Sequence, residues 1–247
     1  MGDSHIPIVG LRYKRKVLNR SSMKFPVENT DGYAVGKLLK GRERLYKHLK
    51  NLIDDNNNKE HECREFLPHV RDLLFRETLI EYGRSDEEYR GHTGDSDYIV
   101  SGKVRDECGV KCVRVYVWEL KAPQCHIFQQ DIENRVKPTK ELIDAENKLL
   151  NFYDELRGSN LFLDEFKITH PDNICLGGII IGCESRLIKG DYDDAKKKEL
   201  FTRAKRIRDK YLYHDIRLMT WDNILAQLRP IAPTSYYPIP TPRHRIY

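Results

Sequence analysis

The stretch RVYVWELKAP (114–123) ends a run of β-branched and aromatic residues with a carboxylate, Glu119, and an amine, Lys121, two positions apart. Alternation with period two puts Val113, Val115, Val117, Glu119 and Lys121 on one face of a strand and Tyr116, Trp118 and Leu120 on the other. Both faces are largely apolar, which marks a central strand whose charged pair emerges where the chain leaves the core. Asp97, 22 residues upstream in SDYIV, begins a second β-rich run whose antiparallel pairing would bring its carboxylate to the same end. Two carboxylates that close repel strongly unless a cation sits between them. Oxygen ligands of this kind suit Mg2+ or Mn2+, and a neighbouring ammonium can orient an attacking water or stabilise negative charge on a phosphate. These are the parts for metal-assisted phosphodiester hydrolysis. Without a metal, Glu119 and Lys121 would be an exposed strand-end ion pair worth at most ~1 kcal/mol.

The elements that must position these groups can be read from periodicity and turn chemistry. A basic helix is predicted over 33–53, with Leu38, Leu39, Leu45, Leu49 and Leu52 as its apolar stripe. A second helical stretch is predicted over 59–82, kinked near Pro68. The runs 96–104 and 110–121, joined by RDECG, read as an antiparallel hairpin. A polar loop runs to Pro138. A helix over 139–156 then starts on Thr139 as N-cap and buries Ile143, Leu149, Leu150 and Tyr153. NICLGGIIIG (173–182) is a buried strand closed by glycine, and 192–213 is a basic helix with Leu200, Ala204, Ile207 and Tyr211 along one face. Residues 215–228 read as a strand entering a helix, followed by a Pro-rich tail. The order is that of an α/β or α+β fold, a mixed sheet flanked by helices.

Composition restricts the alternatives. A 247-residue chain that is 39% hydrophobic and 10% aromatic can bury a core, so it is not a disordered chain. No apolar run approaches the ~20 residues of a membrane span, and the N-terminus lacks the apolar core of a secretory signal, so a soluble, cytosolic protein is expected. The net charge of +5 conceals an asymmetry. Residues 1–50 and 196–247 each carry 12 Lys and Arg against 4 Asp and Glu, whereas 51–195 carry 19 against 30. Basic flanks around an acidic centre suit a polyanion grip around a cation site. Lys196, Lys197, Arg203, Arg206 and Lys210 are candidate phosphate contacts on the 192–213 helix, and RYKRK (12–16) and RHR near the C-terminus are candidate arms. The six scattered cysteines fit a reducing compartment. Cys108 and Cys112, with Cys125 and His126, form the alternative of a zinc site.

An aspartate in a strand, a hairpin turn and then Glu119-Leu120-Lys121 resembles the D…E-x-K core of the PD-(D/E)XK nuclease superfamily. Within it, WELKAP, AENKLLNFYDEL, GGIIIG and LMTWDNIL, in that order, look similar to the Shedu anti-phage defence nucleases. The resemblance covers about 60–228, with 1–59 as a basic arm and helix and 229–247 as a tail. It implies a restriction-endonuclease-like fold and a Mg2+- or Mn2+-dependent DNA endonuclease acting in defence, oligomeric with copies of itself. Asp97 and Glu119 would ligate the metal with the carbonyl of Leu120, and Lys121 would position the attacking water. A glutamate on the preceding helix falls on Glu62, ahead of Glu65. Two departures stand out. Relatives place a glutamine where this chain has Lys148, four residues before Phe152, leaving Lys148 as a DNA contact. They also carry an arginine directly after the strand-ending glycine, for which only Arg186 is at hand. The alternative function is a nucleic-acid-binding or assembly protein of the same fold without turnover.

Overall fold

The computed structural model describes residues 32–90, 95–133, 135–211 and 215–230; the 12–16 and C-terminal basic arms, His92 and the Pro-rich tail beyond residue 230 lie outside them. The chain opens with α1 (Gly32–Asp54) and a short α2 (Glu60–Arg64), followed by two 3-10 turns, Leu67–His69 and Arg71–Leu74. Three antiparallel strands come next, β1 (Thr78–Arg90), β2 (Asp95–Arg105) and β3 (Lys111–Leu120). After β4 (Phe128–Gln130) and β5 (Val136–Pro138) the chain forms α3 (Lys140–Arg157) and α4 (Asn160–Phe166). It then crosses to β6 (Ile174–Ile180), β7 (Ile188–Lys189), α5 (Asp194–Tyr211), β8 (Arg217–Met219) and α6 (Trp221–Leu228). The main sheet has the order β1-β2-β3-β6-β8, with β6 and β8 parallel to β3, and β5-β4-β7 form a small second sheet. The fold is mixed α+β, as the element order predicts.

The residues of β3 decide the layering. Val115 and Val117 pack with Ile99 against Leu142, Ala145, Leu149 and Phe152 of α3 and against α4 and α5. Tyr116, Trp118 and Leu120 point the other way, onto Leu49 and Ile53 of α1, the 3-10 turns and Trp221, Ile224 and Leu225 of α6. A strand apolar on both faces therefore sits at the centre of a helix–sheet–helix sandwich. Because α1 contributes to the second core, that core continues through residues 49–53, ahead of the residue-60 boundary expected from the motifs.

Several expectations are corrected. The helix predicted over 59–82 is one turn and two 3-10 turns, and its last part belongs to β1. That strand was hidden by its charge: TLIEYGRSDEEYR lies at the sheet edge, where polar residues guard against further pairing, and two register shifts break its alternation. The polar loop before Pro138 contains β4 and β5. On α3 the buried side is Leu142, Ala145, Leu149, Phe152 and Leu156, while Ile143 is exposed, about one residue around the helix from the predicted stripe. Thr139 caps α3 as predicted, accepting from the Leu142 N–H. On α5, Leu200 and Ala204 are buried, Ile207 is 45% exposed, and Arg208 takes the next buried position. Its guanidinium donates to Glu146 of α3 at 2.6 Å and to the Ile216 carbonyl at 3.1 Å, which makes the burial tolerable and joins the two helices.

Where β6 passes Trp118, a register shift and Gly177 make room for the indole, and Gly178 makes room for β8. A Cβ on Gly177 would stand 2.5 Å from the Trp118 ring, and Gly178, at φ +152°, has the Arg217 carbonyl 2.3 Å from where its Cβ would be. Arg217 stacks on the other side of Trp118 at 4.5 Å and donates to the carbonyls of Leu73, Leu74 and Phe75. Because the indole is fully buried with its neighbours held in place, Gly177→Ala is expected to destabilise the fold by about 2 kcal/mol or more, read as a lowered denaturation midpoint with unchanged slope.

Candidate metal centre and nucleic-acid surface

The β2–β3 register pairs Tyr98 with Trp118, so the next residues along, Asp97 and Glu119, face each other at the end of the hairpin on the α3 side of the sheet. Both are buried, Asp97 to 7% exposure and Glu119 to 2%. Glu119 is therefore not half of an exposed strand-end ion pair. All four carboxylate oxygens have a partner. The Leu120 N–H donates to Asp97 Oδ2 at 2.8 Å, and Lys121 Nζ donates to Glu119 Oε1 at 2.8 Å. Lys148 Nζ, reaching in from α3, lies 2.8 Å from Asp97 Oδ1 and 3.1 Å from Glu119 Oε2. The position between the carboxylates is thus marked by a cation. Lys148 belongs to the carboxylate centre, a placement that its reading from the sequence as a DNA contact does not include.

The electrostatics follow from this crowding. Burial and then the charge of Asp97 push the Glu119 carboxyl from its ordinary 4.5 up to about 8, against the pull of Lys121 and Lys148. Burial works against the charge of both lysines, but Glu119 and Asp97 more than offset it, and both ammoniums titrate above their ordinary value.

Glu62, the sequence choice for an additional carboxylate, is placed elsewhere: its side chain pairs with Lys59 at 3.3 Å at the surface, and Glu65 is exposed. The α2 carboxylate that feels the charges of the centre is Glu60. It is half-buried, and its pKa is raised by burial, drawn down by Lys121 and raised again by Asp97. Glu60 lies three and four residues before the buried Cys63 and Arg64 of α2, so it shares their inward face, whereas Glu62 does not. That spacing was the available signal. Trp221 is fully buried, and its Nε1–H donates to the Lys121 carbonyl at 2.7 Å. With the Lys121 N–H donating to Ile180 at 2.8 Å, the backbone of the motif is held from both sides.

Beyond Lys121 the chain borders a cavity of about 300 Å3 lined by Ala122, Cys125, His126, Lys140, Glu141 and Lys189, among others. The imidazole of His126 is lowered by burial and then by the charges of Arg186 and Lys189, with a smaller contribution from Lys197 on α5, so this rim is electropositive. Arg186 serves this rim, in a 3-10 turn after β6. Lys196 pairs with Glu199 at 3.0 Å, and Arg203, Arg206 and Lys210 lie on the exposed side of α5. His170 is exposed and accepts from the Asp172 N–H of its own turn. Cys108 is exposed at the β2–β3 turn and Cys125 lies at the cavity. Among the described residues no three His, Cys, Asp or Glu side chains gather as metal ligands, for zinc or otherwise. Asp97 and Glu119 are a pair, with Glu60 nearby. Also among the described residues, no helix is long and apolar enough to cross a membrane. No protein-family model matches the chain, and a search of curated proteins finds no match.

A carboxyl whose pKa is raised in the fold contributes stability below its ordinary pKa that is lost as pH rises through the raised value. In the presence of EDTA, the melting temperature should therefore fall as pH rises from about 5 to about 8, and Glu119→Gln should flatten that slope. A slope unchanged in the variant would assign the pH dependence to other groups.

Proposed function

We propose that the protein is a metal-dependent endodeoxyribonuclease of the PD-(D/E)XK type, similar to Shedu, which hydrolyses phosphodiester bonds of foreign DNA in the cytoplasm as a homo-oligomer. The observation that carries this reading is the meeting of Asp97, Glu119 and Lys121 at one end of a central hairpin. They share one face there, with a cation already lodged between the carboxylates. Hard, buried carboxylate oxygens converging on one cation position fit Mg2+ or Mn2+. Asp97 and Glu119 would hold the ion with the Leu120 carbonyl, and Glu60, in the place expected of Glu62, would add charge. When bound, the ion would supply Lewis-acid stabilisation of charge on the phosphate. Lys121, anchored through its backbone, keeps its ammonium beside Glu119, where it can orient an attacking water. The basic side of α5 and the His126–Lys140–Lys189 rim would grip the DNA phosphates.

One observation favours a second reading, a nucleic-acid-binding protein without turnover: an ammonium, that of Lys148, stands where relatives place a neutral glutamine. Plasmid cleavage with Mg2+ or Mn2+ separates the two. Wild type should cut, with Glu119→Ala and Lys121→Ala slower by about 100-fold or more. Equal cutting by both variants would sink the site assignment. Salt-sensitive DNA binding by a wild type that cuts no duplex, single-stranded or nicked DNA would establish the second reading.

A further inference from the structure

Lys148 and Lys121 both touch the carboxylates, but they are held differently. Lys121 contacts Glu119 alone, its side chain is 22% exposed, and its backbone is tied to β6 and α6. Lys148 contacts both carboxylates at one point, while 38% of its side chain faces solvent. A four-carbon stem with that exposure can swing its ammonium into water by rotating its own bonds, with no movement of α3. We propose that Lys148 is a resident counter-cation that a divalent ion must displace, so that it sets the metal threshold of the centre; this rests on the metal-centre reading above.

Charge and space both require an exchange. The ammonium lies within about 3 Å of an oxygen from each carboxylate, the same two groups that a bridging ion would use. An ammonium and a divalent cation cannot share that position in a buried site, where their repulsion is poorly screened. The ion pairs at the centre join two carboxylates, Asp97 and Glu119, to two ammoniums, Lys121 and Lys148. Exchanging the Lys148 ammonium for a divalent ion brings one more positive charge to the two carboxylates. Lys148 leaves protonated, a Glu119 carboxyl that holds a proton gives it to water when the ion binds, and the Lys148 ammonium becomes available to a phosphate at the mouth of the site. A neutral glutamine at the same position would leave the carboxylates open to the ion. The departure from the nuclease pattern therefore raises the metal concentration at which the centre fills.

The test is Mn2+ binding, followed by the electron paramagnetic resonance of free Mn2+, without DNA. Lys148→Gln and Lys148→Met should bind Mn2+ about tenfold or more tightly than wild type, and the charge-retaining Lys148→Arg should show no gain. Adding Glu119→Ala to Lys148→Gln should erase the gain. Because the neutral variants remove one of the two ammoniums beside the carboxylates, the Mn2+-induced rise in melting temperature is measured as well. It should be larger in Lys148→Gln than in wild type even if the metal-free variant is destabilised. Glu119-dependent Mn2+ binding that is equal in wild type and Lys148→Gln, with equal thermal shifts, would overturn the displacement and leave the metal centre standing. Absence of Glu119-dependent Mn2+ binding in every variant would overturn the metal centre itself.

Discussion

The arrangement turns on one electrostatic constraint: two carboxylates face each other across the end of a hairpin, both nearly out of contact with water. Such a pair is unstable without positive charge or proton uptake. The fold answers with an ammonium from the strand exit, an ammonium from α3 and a backbone N–H. The Lys121 ammonium and the Leu120 N–H are neighbours at the strand exit and the third group comes from α3, so the carboxylates help determine how α3 must sit on the sheet. The raised pKa of Glu119 shows that the compensation is incomplete.

Rigidity around the pair comes from the opposite face of the same strand. Trp118, one residue before Glu119, packs against Gly177 of β6 and the guanidinium of Arg217, while the indole of Trp221 holds the Lys121 carbonyl. The apolar face thus fixes the backbone whose other face carries the carboxylate pair, and side chains held on strands are positioned more precisely than side chains on loops. The lysine from α3 differs: its helix is fixed by a buried stripe and by the Glu146–Arg208 pair, but its own stem is free to move.

Where local rules were sufficient, the sequence was informative. Alternation in 113–121 assigned the two faces of β3, Thr139 marked the start of α3, and the two apolar runs joined by RDECG gave the hairpin. Local rules failed where burial was decided by a distant partner. The edge strand β1 has no strong apolar alternation because its outer edge faces solvent. Distance from Phe66–Leu67 favours Glu62 over Glu65 and passes over Glu60, although the inward side of such a short helix is set by what packs beneath it. Arg208 looked like one more member of a basic face until Glu146 and the Ile216 carbonyl enclosed it.

The sequence by itself determined the central strand, its polar exit and the mixed α+β order, because these follow from side-chain period and turn chemistry within a few residues. It also singled out Asp97, Glu119 and Lys121, through residue type and separation along one hairpin. Only the tertiary structure decided what stands between the carboxylates. Lys148 is 51 positions from Asp97, on a helix whose rotation about its axis depends on the whole stripe from Leu142 to Leu156. An error of one residue in that stripe turns a helix by about 100 degrees and carries an ammonium from the centre of a site to its surface.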